Sequence, residues 1–214
     1  MKSILIVGIG RFGRFLAIKL ASLKNEVMIV DKSEAAINEV LPYVTTAQIA
    51  DFSNEQVVKS TGVSNFDVCV VAIGDDFQAS LVITSLLKEN GAKYVIAKAS
   101  RLNHAKFLLK NGADEIVYPE KELAERLAVK LSAKNVFEYI ELSDDYAIYE
   151  IPPLKSWVGK SIAQKGIRSK YNINILAIKQ EGIIYPNPDP EFVFTGKEHL
   201  VVMGRKKDIE KTVD

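Results

Sequence analysis

The stretch "ILIVGIGRFGRFL", residues 4–16, constrains the fold more than any other part of the chain. A continuous apolar run ends on glycines spaced G-x-G-x-x-G. An unbroken run of this kind predicts a strand covered on both faces, as in parallel sheets. Behind the glycines, Phe12, Leu16, Leu20 and Leu23 fall at spacings of 4, 4 and 3, which places them on one face of a helix. Strand, glycine turn and helix in that order form the first unit of a doubly wound α/β sheet.

The alternation continues. Strands are predicted at 26–31, 46–51, 67–74, 94–99 and 114–119, with helices between them, notably 33–41 and 76–91. Ser33 supplies an N-cap and Pro42 follows the helix that it starts. Gly91 and Gly112 follow helical patterns where a left-handed C-terminal cap is needed. These elements assign 1–120 to a nucleotide-binding domain. The pattern then changes. "EKELAERLAVKLSA" (120–133) is amphipathic and predicts a connecting helix, taken as 121–134. Residues 135–142 and 146–151 alternate around the turn "SDD", a hairpin signal, and Pro152-Pro153 breaks the chain. A short helix over 159–171, a strand–glycine–strand segment over 174–192, a strand at 199–204 and a terminal helix complete a small α+β domain, 135–214.

Lys and Arg number 28 against 27 Asp and Glu, so no net field favours nucleic acid. Apolar runs such as "VCVVAI" are strand-sized, far short of a membrane span, and Met1 leads directly into a strand, so no leader is expected. The lone Cys69 allows no disulfide framework, which fits a reducing cytoplasm. His104 and His199 have no neighbouring acid or nucleophile in sequence, and there is no Cys/His metal spacing, so surface or structural roles are expected of both.

The glycine loop can hold an anion. Gly8 permits the tight turn, Gly10 lets the backbone approach a pyrophosphate, and Gly13 lets the helix pack on the strand. The helix N-terminus offers unpaired N–H groups and a partial positive charge. Asp31, 18 residues after Gly13, is placed to accept ribose hydroxyls, and its charge disfavours NADP. Arg11 can present a fork to phosphate oxygens, which a nicotinamide enzyme does not need; Arg14 reads as an exposed first-turn residue. Glu120 opens a helix at the end of the sixth strand. It either complements the helix dipole or faces phosphate through a bound cation. Asp51 either caps a strand end or accepts from an adenine amino group. The crevice set, at strand C-termini and just beyond, is Gly8, Gly10, Arg11, Phe12, Gly13, Asp31, Lys32, Asp51, Phe52, Ala72, Ile73, Gly74, Lys98 and Glu120.

"GIGRFG", "VD" at 30–31, "IAD" at 49–51, "VAIG" at 71–74, "GADEIVYPEKELA" at 112–124 and "IRSKYNINILAI" at 167–178 together give a chain that resembles the RCK proteins of the Ktr/Trk type, regulators of bacterial potassium transport. The resemblance spans nearly the whole chain. It implies a Rossmann-like RCK N-terminal domain followed by a TrkA-C-like domain, with no enzymatic activity. It also implies a homodimer assembling into an octameric ring on the cytoplasmic side of a membrane-embedded potassium transporter subunit. ATP and ADP would compete for the crevice, with NAD(H) an alternative. Arg11 would then contact the terminal phosphates, Asp31 the ribose and Asp51 the adenine side, while Glu120 would help hold a divalent or monovalent cation. In the second domain the resemblance implies a cyclic di-AMP site of Ile162, Ile167, Arg168, Asn174, Ile175 and Pro190; read alone, these residues fit a hairpin core and a surface arginine equally well. Two other classes remain at this point: an NAD-dependent oxidoreductase, and an NAD(H)-sensing DNA-binding regulator, which would need a helix pair and a basic face that the sequence does not offer.

Overall fold

The computed structural model describes residues 1–132 and 135–213. Residues 133 and 134, the end of the predicted connecting helix, and residue 214 lie outside the described residues. The chain divides into two compact units, Met1–Glu120 and Lys121–Asp214.

The first unit is built on β1 (Ser3–Val7), at the centre of a six-stranded parallel sheet. Leu5 and Val7 enter one apolar cluster, while Ile4 and Ile6 enter another on the opposite face. Each such side chain contributes roughly 1.5–3 kcal/mol when buried, so this central strand is apolar from Ile4 to Val7. β2 (Glu26–Asp31) and β3 (Thr46–Ile49) extend the sheet on one side of β1. The chain then crosses back to β4 (Val68–Val71), β5 (Val95–Lys98) and β6 (Glu115–Val117) on the other side, giving the order β3-β2-β1-β4-β5-β6. This reversal opens a crevice beyond the C-terminal ends of β1 and β4. The crossovers are α1 (Arg11–Ser22), α2 (Glu34–Val40), α3 (Glu55–Thr61), α4 (Phe77–Glu89) and α5 (Leu102–Lys110). Ala17 of α1 with Ile37 and Val40 of α2 cover one face; Val58 of α3, Ile83 and Leu87 of α4 and Leu108 of α5 cover the other.

Several boundaries differ from the sequence reading. β3, β4 and β6 stop early, so Asp51, Ala72, Ile73, Gly74 and Tyr118 lie in loops. Ala72 N still donates to Val7 O at 2.8 Å, after which the chain leaves the ladder. Leu23 is the C-cap of α1 and 59% exposed, so the buried face of that helix ends at Leu20. Pro42 follows α2 as expected, within a 3-10 turn, Leu41–Tyr43. Gly91 and Gly112 take the left-handed conformation expected of them, with φ of +84° and +100°.

The second unit begins in α6 (Pro119–Ser132), which starts two residues before the predicted 121–134 helix. Its antiparallel sheet has the order β10-β9-β11-β8-β7. The strands are β7 (Glu138–Glu141), β8 (Tyr146–Ile151), β9 (Ile173–Gln180), β10 (Ile183–Pro186) and β11 (His199–Arg205). β7 is shorter than the predicted 135–142 and pairs with β8 in a hairpin. The predicted 159–171 helix is two short ones, α7 (Ile162–Lys165) and α8 (Ile167–Tyr171), because Gly166 between them adopts φ +57°. α9 (Lys206–Val213) closes the unit. Trp157, Tyr149, Ile151, Ile173, Phe194 and Leu200 form its core, and the Trp157 indole N–H donates to Tyr171 Oη at 3.1 Å.

Candidate nucleotide crevice

The glycine loop is shaped by backbone contacts that leave no room for side chains. Gly8 N donates to Val30 O at 2.8 Å, and Gly8 adopts φ +95°, where a Cβ would lie 2.7 Å from Ile73 Cγ1. A Cβ on Gly13 would sit 2.1 Å from Gly8 O, so α1 can pack this close to the turn only with glycine there. Gly10 is different: a Cβ there would meet nothing within 4 Å. Its role is to keep the loop's open side open.

α1 begins at this open side. Its N-cap is Gly10, with no side-chain hydrogen bond and no acidic residue in the first turn. By contrast, α2, α3 and α4 are each capped by a side chain, from Ser33, Asn54 and Asp76. The N–H groups that open α1 thus lack the carboxylate, amide or hydroxyl that α2, α3 and α4 supply; α5 is likewise uncapped, but only α1 opens from the glycine loop onto the strand ends, the arrangement an incoming anion completes.

A crevice of about 470 Å³ lies against this loop. All the predicted crevice residues except Gly13 line it; Gly13 is buried beneath the turn. The Asp31 carboxylate, at the end of β2, accepts from Ile9 N at 2.6 Å through Oδ2 and from Ser33 N at 2.8 Å through Oδ1. It therefore arrives braced between the glycine loop and α2, with lone pairs left on both oxygens. Asp51 Oδ1 accepts from Ser53 N at 2.9 Å, the turn that leads into α3, so the strand-end role is realised while the residue also borders the crevice. Phe52 is buried, Lys32 exposed.

At the other end, Lys98 Nζ donates to Glu120 Oε1 at 2.8 Å and lies 5.9 Å from the Phe12 ring centroid. Gly74 gives this lysine its room: a Cβ there would be 3.3 Å from Nζ. The Lys98 hydrogen bond holds the Glu120 carboxyl below the usual range, helped by the Glu120 backbone N–H and the nearby charge of Arg11. Glu120 is therefore ionised, and a cationic partner that the sequence reading did not pair with it is already beside it. Arg11 is exposed at the mouth. Arg14 is ion-paired to Glu39 and half-buried, not simply exposed.

Sequence reasoning missed Asp75 and Asp76, which line the crevice between β4 and α4. The signal was available: a loop at a strand C-terminus beside the switch point, with Asp76 in N-cap position and accepting from Ala79 N at 2.9 Å. With them, five carboxylates and three cations (Arg11, Lys32, Lys98) face the crevice. A polyphosphate binding here needs added positive charge. Among the described residues no cluster of three or more His, Cys, Asp or Glu could hold a metal alone, so a cation at Glu120 would share its coordination with phosphate oxygens.

Both histidines, for which the sequence predicts surface or structural roles, and the cysteine lie outside the crevice. His104 is fully buried between Ser80 and Ser100. His199 stacks on Phe137 in the second unit, its Nδ1 2.7 Å from Glu150 Oε1. Burial pushes the Cys69 thiol up to about 12, leaving it inert.

In the second unit, Arg168 and Asn174 share a shallow cavity of about 410 Å³ with Tyr146, Asn172 and Met203. The other predicted members are not part of it. Ile167 is 2% exposed in the core, and Ile162 and Ile175 pack on that same core, so their aliphatic surface serves the fold of this unit. Pro190 is exposed, and its carbonyl accepts from Ala163 N at 2.8 Å.

Among the described residues no helix is long and apolar enough to cross a membrane. The TrkA-N domain family matches residues 4–119 and the TrkA-C domain family residues 146–214. The chain is 40% identical over 210 residues to Ktr system potassium uptake protein A of Bacillus subtilis, covering 98% of this chain and 95% of that one. It is 37% identical over 210 residues to Ktr system potassium uptake protein C of the same organism, with the same coverage. The solved GsuK channel bound to NAD superposes with a TM-score of 0.71 at 20% identity, covering all of this chain and 39% of the channel. With both domain families matched in chain order and two relatives aligned over nearly their whole length, this chain belongs to the RCK proteins of the Ktr potassium uptake systems.

Proposed function

We propose that this chain is the cytoplasmic regulatory subunit of a potassium uptake system, a sensor of adenine nucleotide with no catalytic turnover of its own. The observation that carries the reading is the uncapped N-terminus of α1 opening on a crevice that has Asp31 braced at one end and Arg11 with the Lys98–Glu120 pair at the other. ATP or ADP supplies a chain of negative charge for the α1 N–H groups and the cations. Asp31 accepts from ribose hydroxyls and repels a 2′-phosphate. Arg11 provides the forked donor for the last phosphate. Glu120, held ionised, offers an oxygen to a divalent or monovalent cation bridging to that phosphate.

The family, together with large apolar side chains left exposed on the single chain, Phe15 of α1 and Leu123, Leu127 and Leu131 of α6, supports a homodimer that assembles further, as an octameric ring, on the inner face of the membrane against an integral potassium transporter subunit. A ligand that binds one arrangement of subunits more tightly than another shifts their balance by that difference alone. NAD(H) is the alternative occupant, since Asp31 suits any adenosine ribose; no nucleic acid is expected. A second ligand, cyclic di-AMP, is favoured by one observation, that Arg168 and Asn174 share a cavity wall.

The test is calorimetric titration of the full chain with ATP and ADP, wild type against Arg11→Ala. The variant should weaken ATP by roughly tenfold or more, about 1.4 kcal/mol, and ADP by less than half of that in free energy. Equal losses for both nucleotides refute phosphate counting by Arg11.

A further inference from the structure

His104 lies outside the crevice, yet it bonds α4 to the segment that follows β5, and through Ser100 it is linked to the end of β6. Its imidazole is fully buried. Nε2 lies 2.7 Å from Ser80 Oγ on α4, and the Ser80 hydroxyl itself donates to Phe77 O at 2.8 Å. That donation commits the serine proton, so Nε2 must carry the hydrogen of the His104 contact. Nδ1 is then the acceptor, and Ser100 N donates to it at 3.3 Å. Ser100 O in turn accepts from Tyr118 Oη at 2.8 Å. The path runs Ser80, His104, Ser100, Tyr118. Ser80 stands one residue past Ala79 on the crevice wall, Ser100 two residues past Lys98, and Tyr118 two residues before Glu120.

We propose that His104 is a positioning residue of the nucleotide site: by donating to Ser80 and accepting from Ser100 it fixes the ends of β5 and β6 against α4, and so sets how firmly Lys98 meets Glu120 and the terminal phosphates. This rests on reading the crevice as a nucleotide site. The neutral imidazole is required, because a proton on Nδ1 would point at the Ser100 N–H. The surroundings favour neutrality. The Phe77 ring packs 4.9 Å from the imidazole, the Arg101 guanidinium lies 5.2 Å over that ring, and burial followed by the Arg101 charge lowers the His104 pKa.

Two substitutions separate the two arms. H104N keeps an acceptor where Nδ1 stands but cannot reach Ser80. H104Q keeps a donor toward Ser80 and loses the Nδ1 acceptor. Three quantities are measured on the full-length chain: unfolding midpoint, titration of the Glu120 carboxyl by carbon-detected NMR without ligand, and ATP affinity by calorimetry. Both variants should lose stability to a similar degree. H104Q should raise the Glu120 pKa toward its ordinary value and weaken ATP about tenfold. H104N should recover most of both. Tyr118→Phe, which changes one atom, should move Glu120 and ATP in the same direction as H104Q, and it decides the matter if either histidine variant fails to fold. The proposal is overturned if Glu120 titrates alike in all these proteins, or if H104N and H104Q shift it equally in step with lost stability. Absence of adenine-nucleotide binding by the wild type would defeat the nucleotide reading instead, while the ligand-free Glu120 titration still decides the role of His104.

Discussion

Adding one methyl group to the glycine loop should have opposite consequences at two positions three residues apart. At Gly13 the new Cβ would lie 2.1 Å from Gly8 O, a backbone atom with no rotamer to move. Reaching ordinary contact demands a shift of α1 by about an ångström against packed β1 and β4. Alanine gains about 1 kcal/mol over glycine in a helix. Overpacking of this kind costs roughly 1–3 kcal/mol, more where only backbone can yield. Gly13→Ala should therefore lose about 2 kcal/mol net, a fall of roughly 8 °C in Tm for a unit of this size. At Gly10 nothing lies within 4 Å and φ is −68°, so alanine fits. Its weaker capping, about 0.5 kcal/mol, is offset by the stiffer unfolded chain. Gly10→Ala should keep Tm within about 2 °C by the same scaling, yet weaken ATP and ADP by tenfold or more, because the methyl occupies the space over the α1 N–H groups. Thermal unfolding without ligand and calorimetric titration with each nucleotide measure the two effects separately. A stable, nucleotide-tight Gly10→Ala would refute the placement of phosphate on this loop; an undisturbed Gly13→Ala would refute the packing argument.

Glu120→Gln removes the oxygen charge offered to a cation, so ATP affinity should become less dependent on divalent ion. An unchanged metal dependence in calorimetry takes Glu120 out of that role. Arg168→Ala should abolish heat from cyclic di-AMP if the second cavity takes that ligand, and absence of heat from the wild type ends that reading. Glu198 is fully buried; burial pushes its pKa up, but bonds from the Thr195 hydroxyl and from backbone N–H groups around it outweigh this and leave it lowered. Its contribution is therefore complete above the unfolded carboxylate pKa and lost as pH falls through the folded one. The stability gap between wild type and Glu198→Gln should narrow on acidification below about pH 4.5, and a gap independent of pH would contradict the sign.

The first unit was legible because its signals are local and redundant. The double-faced burial of β1 shows as an unbroken apolar run, and Gly8, Gly13 and Asp31 stand at spacings that only one strand–turn–helix geometry satisfies. Strand ends were overestimated at Asp51 and Ala72 because Ala50 and Ala72–Ile73 continue the apolar runs of β3 and β4 past the last ladder bonds, and hydrophobicity does not mark where ladder bonding stops. The pairing of Lys98 with Glu120 was not legible at all. It joins residues 22 apart through the register of β5 and β6, which no sequence period encodes. For His104 a surface or a structural role was expected, and only the packing of α4 against α5 decides for the buried one. In the second unit, the split at Gly166 was missed because the residues on either side of it continue a helical pattern, while the left-handed turn depends on one glycine.

The charge of the crevice bears on how a sensor of phosphate number can work. Five carboxylates already face three cations before a ligand arrives. Each added phosphate therefore costs electrostatic work unless Arg11, Lys98 or a shared cation meets it, and in a partly desolvated site that work is larger than in water. On the proposed nucleotide reading, a preference for ATP over ADP would come from a near-cancellation, in which the last phosphate would gain contacts at Arg11 and at a cation on Glu120 against repulsion from the surrounding carboxylates. Near-cancellations respond strongly to small changes. A shift that parts Lys98 from Glu120 removes an attraction and frees a carboxylate at once, and a hundredfold change in preference needs only about 2.7 kcal/mol per site. Subunit rearrangement at this margin requires no chemistry on the nucleotide.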